Sequence, residues 1–251
     1  MKTIIVGEGD VGKALFKLLE DNGFNVQFYD NRNGDKPPSD VETVHIAFPC
    51  QDMSFIGDVV EYIKQLKPKL TIIDSTVIPG TTRAIYNQFK EDGEEILIVH
   101  SPVRGQHDSL YRDLKRYVKF IGPMTGEAGV EAIKHFTELG LKVVAWEKPE
   151  ETELCKLLDT SQYGILIAWA QQALKYCEIF EVDHEKVRVF GEETQEFYGL
   201  RPKIYPGFIG GVCVVPNLKL LNNFVAKSEM IEAALKSNEE FRKKYGEVRL
   251  D

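Results

Sequence analysis

Cysteine is scarce. Four cysteines (Cys50, Cys155, Cys177, Cys213) are scattered over 251 residues, and no two form a CxxC pair. That spacing excludes a disulfide framework and a zinc ribbon, and it points to reduced thiols, no bound metal and a cytoplasmic setting. Positive charge is in deficit, with 31 Lys+Arg against 39 Asp+Glu and a formal net charge of −8. Such a chain is not built to wrap nucleic acid or to lie on an anionic membrane, so neither is expected as a partner. Long apolar runs are missing too. The uncharged stretch 160–174 contains three Gln, a Ser and a Thr, too short and too polar to span a bilayer. Met1-Lys2 leads directly into an apolar run, without the pattern of a signal peptide. Internal repeats and low-complexity segments are absent. What remains, 43% hydrophobic and 28% charged residues, is the composition of a globular chain of one or two domains.

Short apolar runs alternate with longer mixed segments through the first half. Strands are expected at Thr3–Val6, Val26–Tyr29, Thr43–Phe48, Leu70–Ile73, Ile96–His100, Val118–Ile121 and Val143–Trp146. Helical patterns at Gly12–Asn22, Phe55–Leu66, Thr82–Asp92 and Glu127–Leu139 separate most of them. This alternation implies an α/β fold: a Rossmann-like, doubly wound parallel sheet over 1–149. The pattern changes at Glu147-Lys148-Pro149. From Glu151 to Phe180 it is helical, interrupted only by Gly164, and its middle (Ile165 to Trp169) is apolar on nearly every side. A helix of that kind is buried all round. Within a mainly α-helical domain of 150–251, a second subunit provides that burial, so a homodimer through 151–181 is expected. After more helix come the loop Arg201–Asn217 and a last helix, Leu218–Lys244.

The first strand runs into Gly7-Glu8-Gly9-Asp10-Val11-Gly12, a GxGxxG pattern that opens a helix. Gly7 permits the tight turn, Gly9 admits a pyrophosphate to the backbone, and Gly12 lets the helix close on the strand. The anion then sits on the helix N-terminus, among the N–H groups of Asp10 and Val11. The second strand ends at Asp30, 18 residues after Gly12, where a carboxylate can bind a ribose 2′-hydroxyl. NAD is therefore the expected cofactor, with Arg32 keeping NADP open. The same residues nearly form a P-loop, but Ala14 stands where magnesium needs a hydroxyl, which disfavours a kinase or ATPase.

Hydroxyls follow the fourth strand in Asp74-Ser75-Thr76, before a Pro-Gly turn with Thr81 placed to cap the next helix. Arg104 and His107 follow the fifth strand, where an Arg can clamp a phosphate or carboxylate of a small-molecule substrate and a His can move protons. Lys156 and Thr160 are four apart and share a helix face; a partly buried Lys there can hold an oxyanion or transfer a proton, or simply snorkel. The loop Tyr205–Asn217, with Gly207, Gly210 and Gly211, surrounds Cys213 with backbone and makes it the candidate nucleophile among the four thiols.

In order, these pieces resemble the UDP-glucose/GDP-mannose dehydrogenase family. Gly7–Gly12 is similar to its cofactor loop, and Phe48-Pro49-Cys50 to the end of its third strand. Asp74–Thr82 is similar to its STVPPGT segment, with Thr76 on the family threonine, and Ser101-Pro102 to its SPE segment. Glu153–Glu178 is similar to its central dimer helix, which puts the active-site lysine on Lys156. Gly207–Pro216 is similar to PGxGxGGxCxPxD and puts the nucleophilic cysteine on Cys213. The resemblance implies cofactor contacts at Pro49 and Ser75 and substrate contacts at Gly210 and Gly211. It implies oxidation of a sugar primary alcohol to a carboxylate with two NAD, through a Cys213 thiohemiacetal and thioester. Lys156 would steady the oxyanion and Thr76 would help place water. Three positions depart from the family: Val103 replaces the SPE glutamate, Thr160 the helix asparagine, and Asn217 the aspartate after the cysteine. Only 38 residues follow Cys213, where family members continue into a domain that holds the nucleotide of the sugar. Arg104 and His107 then stand as replacements, or as marks of a smaller phosphorylated or acidic substrate. A β-hydroxyacid dehydrogenase-like enzyme using Lys156 without Cys213, and a degenerate NAD-binding protein, are the alternatives. Sedimentation at micromolar concentration is expected to show a dimer; a monomer alone would remove the inference drawn from the apolar helix.

Overall fold

The structure, a computed structural model, describes residues 2–34, 36–198, 205–210 and 213–248. It divides into two compact units, Met1–Lys156 and Leu157–Asp251, a boundary a few residues beyond the Pro149 expected from the sequence pattern.

In the first unit, strands β1 (Lys2–Val6), β2 (Asn25–Phe28), β3 (Val41–Ile46), β4 (Leu70–Ile73), β5 (Leu97–His100), β6 (Lys119–Pro123) and β7 (Val143–Ala145) form one sheet in the order β2-β1-β3-β4-β5-β6-β7. All seven expected strands are present. Helices α1 (Asp10–Asp21) and α5 (Gly126–Glu138) cover one face, together with a short α4 (Leu110–Arg116) that the sequence reading missed. Helices α2 (Ser54–Leu66) and α3 (Thr81–Glu91) cover the other. With both faces covered, strands read as continuous apolar runs, as in the wholly buried Leu70-Thr71-Ile72-Ile73 of β4. One pairing corrects the expectation of a parallel sheet: β6 runs antiparallel to β5, meeting it at Val99–Pro123 and His100–Gly122. The connection between them carries a 3-10 turn (His107–Ser109) and the short α4. Between β1 and β3 the strand order reverses, which opens a crevice at their carboxyl ends.

A charged network is sealed between the sheet and α5. The Lys119 ammonium donates to Asp74 Oδ1 at 2.9 Å and to the Ser101 carbonyl at 2.6 Å. His45 Nδ1 lies 2.7 Å from Asp74 Oδ2, and its Nε2 lies 3.0 Å from His135 Nε2. Burial would raise the Asp74 carboxyl; Lys119 and His45 overcome that and hold it below the usual range. Burial pushes the imidazoles of His135 and His100 down to about 3.

The second unit continues α6 (Pro149–Ile179), which begins in the first, and adds α7 (His184–Tyr198), α8 (Val214–Leu220) and α9 (Glu229–Tyr245). A Cβ on Gly164 would lie 2.9 Å from Val214 Cγ1 and 3.0 Å from Leu218 Cδ1, so this lone helix glycine is what lets α8 seat against α6. The single helix expected at Leu218–Lys244 is broken. A π-helical turn, Leu221–Val225, ends the first part, Asn222 Oδ1 accepts from the Ser228 N–H at 2.7 Å, and Ser228 caps α9. Nor is α6 buried all round in the chain. Trp169 is 65% exposed, with Leu158 and Tyr176 on the same stripe, and Phe180 just beyond the helix is 75% exposed.

Both neutral imidazoles take up a proton only on unfolding once the pH drops below about 6.5. Unfolding then binds protons, so stability should fall between pH ~6.5 and ~3, by up to ~1.4 kcal/mol per pH unit for each ring. Urea titrations at several pH values check this; His135→Leu should flatten the slope, and an unchanged slope would contradict it.

Candidate dinucleotide and active site

The turn after β1 is shaped by backbone crowding. Gly7 adopts φ +112°, and a Cβ there would sit 2.8 Å from Ala47 C and Phe48 N at the end of β3. A Cβ on Gly12 would stand 1.8 Å from the Gly7 carbonyl oxygen. A Cβ on Gly9 would meet nothing within 4 Å. Two glycines therefore serve the fold and the third faces open space at the N-terminus of α1, where a pyrophosphate would be received. Asp10 opens the helix, and Val11 packs partly into the core. Ala14 is buried in the helix–sheet layer, away from any phosphate.

A cavity of about 580 Å³ adjoins this turn, lined by residues that include Gly7, Asp30, Arg32, Pro49, Asp58 and Tyr62. Gly7, Asp30 and Pro49 are thus brought together. Asp30 is held on both oxygens by Arg32, with Nε at 2.8 Å from Oδ1 and Nη2 at 2.5 Å from Oδ2. The Tyr62 hydroxyl donates to Asp30 Oδ1 at 3.2 Å. The Arg32 guanidinium holds the Asp30 carboxyl well below the usual carboxylate range, while burial beside Asp30 pushes the Tyr62 phenol up to about 12. The cavity therefore presents a fixed anion to a ribose. The residues fit a dinucleotide: a glycine free to be approached, a helix N-terminus and an ionised acid at the end of β2. Cys50, next to Pro49, is buried, and that burial pushes its thiol up to about 11, so it is unsuited to nucleophilic work.

Ser75 is buried, and its hydroxyl faces the Phe48 carbonyl at 2.6 Å and the Ile46 carbonyl at 3.1 Å, which ties β4 to β3. Thr76 follows at the mouth of the sheet, half-buried. Thr81 donates to the Ile78 carbonyl at 2.7 Å and does not cap α3. The cap comes from Glu153 on α6, which accepts from the Gly80 N–H (2.6 Å), the Thr82 N–H (2.9 Å) and the Thr82 hydroxyl (2.6 Å). His107 and Asp10 meet at 2.7 Å, so the loop after β5 reaches the phosphate turn. Arg104 donates to the Val118 carbonyl at 3.1 Å between the rings of Tyr117 and Phe120, a packing arrangement. Lys156 is half-buried on the second turn of α6.

In the second unit, Thr160 and Asn217 are buried, and Cys213 is exposed immediately before α8, its carbonyl accepting from the Asn217 N–H at 3.0 Å. Gly210 is half-buried, and Gly211 lies outside the described residues. The loop ahead of Cys213 is fastened by two amides that the sequence reading missed. Gln171 Nε2 donates to the Gly207 carbonyl at 2.7 Å, and Asn238 brackets Ile209, accepting from its N–H at 2.7 Å and donating to its carbonyl at 3.0 Å.

Two alanine substitutions separate fold from binding. Gly9→Ala should change stability by less than ~1 kcal/mol and weaken NAD binding about tenfold, because its methyl enters the anion's place. Gly12→Ala should destabilise the chain itself. Calorimetric titration beside thermal melts checks both, and equal NAD affinity in Gly9→Ala would remove the cradle.

No protein-family model matches the chain. A curated UDP-N-acetyl-D-mannosamine dehydrogenase of Methanocaldococcus jannaschii is 24% identical over 186 residues, 70% of this chain and 43% of the relative. The chain thus matches less than half the length of that relative. Among solved structures, a UDP-D-ManNAc dehydrogenase from Pyrococcus horikoshii aligns over 97% of this chain and 69% of its own, at 18% identity and a TM-score of 0.83. A 3-hydroxyisobutyrate dehydrogenase from Mycobacterium tuberculosis aligns over 98% of this chain and 95% of its own, at 12% identity and a TM-score of 0.73. Among the described residues, no helix is long and apolar enough to cross a membrane. In sequence pattern and in fold the chain resembles the UDP-sugar dehydrogenases over part of their length, with a Rossmann-type sheet.

Proposed function

We propose that the chain is an NAD-dependent dehydrogenase of the cytoplasm that oxidises a CH–OH group of a small sugar-like or acidic molecule, through a thiohemiacetal on Cys213. The observation that carries this reading is the open cradle at Gly9 in the β1/β3 crevice, in one compact unit with Thr76 and Lys156. Each of the two oxidation stages would use one NAD, bound in turn, as its hydride acceptor. Asp30, fixed by Arg32, orients the ribose. The Cys213 thiolate adds to the aldehyde carbon, and the thioester left after the second oxidation is opened by water to release the carboxylate. Lys156 stabilises the oxyanion by its charge, and the Thr76 hydroxyl aligns water. Asn217 and Thr160 occupy positions where the resembling family has an acid and an amide, so thioester hydrolysis has less help here. A second copy covers the Leu158–Trp169–Tyr176 stripe of α6 and Phe180 just beyond it, giving a homodimer.

The whole-length match to a hydroxyacid dehydrogenase fold favours a second reading, in which Lys156 works without Cys213. NADH formation should be measured with UDP-N-acetyl-D-mannosamine, UDP-glucose, sugar phosphates and 3-hydroxyisobutyrate. Lys156→Ala should lower kcat about 10²-fold or more. Cys213→Ala should abolish acid formation. Full activity in the cysteine variant, with loss in the lysine variant, selects the second reading. NAD binding without turnover on the whole panel points to a degenerate enzyme, and no NAD binding at all overturns every one of these readings.

A further inference from the structure

His100 lies at the end of β5, fully buried, where sequence patterning calls for an apolar residue. Its Nε2 is 3.1 Å from the carbonyl oxygen of Ser75, and its Nδ1 is 2.7 Å from the Thr152 hydroxyl. A carbonyl can only accept, so Nε2 carries the proton. Burial keeps the ring neutral, pushing its pKa down to about 3 with the charge of Lys119 and, less, that of Lys156 adding to the effect, and Nδ1 is therefore a bare acceptor. Thr152 has a single proton; the Pro149 carbonyl is at 2.9 Å, and the shorter contact to Nδ1 takes it.

The two arms of this imidazole end beside the two groups assigned to the chemistry. The Ser75 carbonyl belongs to the peptide that leads into Thr76. Thr152 is one helical turn before Lys156, on the same face of α6. The turn has no room to slide: a Cβ on Gly122 of β6 would lie 2.5 Å from Thr152 Oγ1 and 2.6 Å from Pro149 Cα. Glu153 adds a lock in the same turn, through its three bonds to Gly80 and Thr82.

We propose that His100 is a positioning residue that sets Lys156 against Thr76, bridging the β4 exit and the first turn of α6 without touching substrate. This rests on the reading of Lys156 and Thr76 given above. Displacing a reacting group by a fraction of an ångström is costly in rate, whereas cofactor binding at β1 and β3 is untouched.

The test uses the full chain and two readouts. In the first, trace acetylation with acetic anhydride and mass spectrometry compares Lys156 with the exposed Lys17. Thr152→Val removes the hydroxyl, and His100→Gln keeps a donor toward Ser75 but no longer holds an acceptor at the Nδ1 position facing Thr152. Each should change the relative acetylation of Lys156 by about threefold or more, and the double variant should go no further. Thr152→Ser should restore the wild-type ratio. A lowered melting temperature with an unchanged Lys156 ratio overturns the proposal and leaves His100 a structural residue. Should His100→Gln fail to fold, Thr152→Val against Thr152→Ser decides alone. In the second readout, NADH formation is followed with Lys156→Gln as control. Activity unaffected in that control overturns the function assigned to Lys156, while the acetylation ratio still decides the role of His100. Loss of activity in the control, with kcat down about tenfold and KM for NAD unchanged in Thr152→Val, supports both. Loss in the control with wild-type kcat and acetylation in Thr152→Val overturns positioning alone.

Discussion

A phosphate group can rest on a helix end only if the preceding turn brings that end close to the sheet and leaves nothing in front of it. Gly7 and Gly12 meet the first condition by contact so tight that neither admits a Cβ, and Gly9 meets the second by having nothing near it. The rest of the first unit is arranged around that turn. The strand order reverses beside it, the acid of β2 is fixed next to it, and the β5 loop reaches it through His107. Thr76 and Lys156 follow from the same sheet, one from the exit of β4 and the other from the first turns of α6.

The sheet and this turn were legible because their signals are local. Each strand is a short apolar run between helical patterns, and GxGxxG carries its physics in its own spacing. Lys156 and Cys213 were singled out in the same way, one by helical spacing and the other by neighbouring glycines. The direction of β6 was hidden, because apolar runs specify a strand without its polarity. The break at Ala226–Ser228 was hidden because Asn222 acts through a hydrogen bond six residues ahead.

The least legible residues make long-range polar contacts. His45, His100 and Lys119 sit in strands as if they were surface positions, and their partners come from 25 or more residues away in five of six contacts, Lys119–Ser101 being the nearer one. Glu153 reads as an ordinary helix carboxylate until it is seen on the N-terminus of α3, where Thr81 was the local candidate. Gln171 and Asn238 likewise read as helix-surface amides, yet they hold the backbone ahead of Cys213. The available sequence signal is a polar residue within an otherwise buried run, and it marks the site without naming the partner.

The Asp74–Lys119–His45–His135 group has a consequence for how this chain can diverge. Removing any one ionic partner strands a charge in the interior at ~3–5 kcal/mol, a large part of a domain's whole stability, whereas replacing the set with apolar residues of similar volume can be neutral. Descendants should therefore retain the quartet intact or lose it wholesale. Covariation at these four positions is then an inherited record of packing between β3, β4, β6 and α5, independent of whatever the crevice has come to bind.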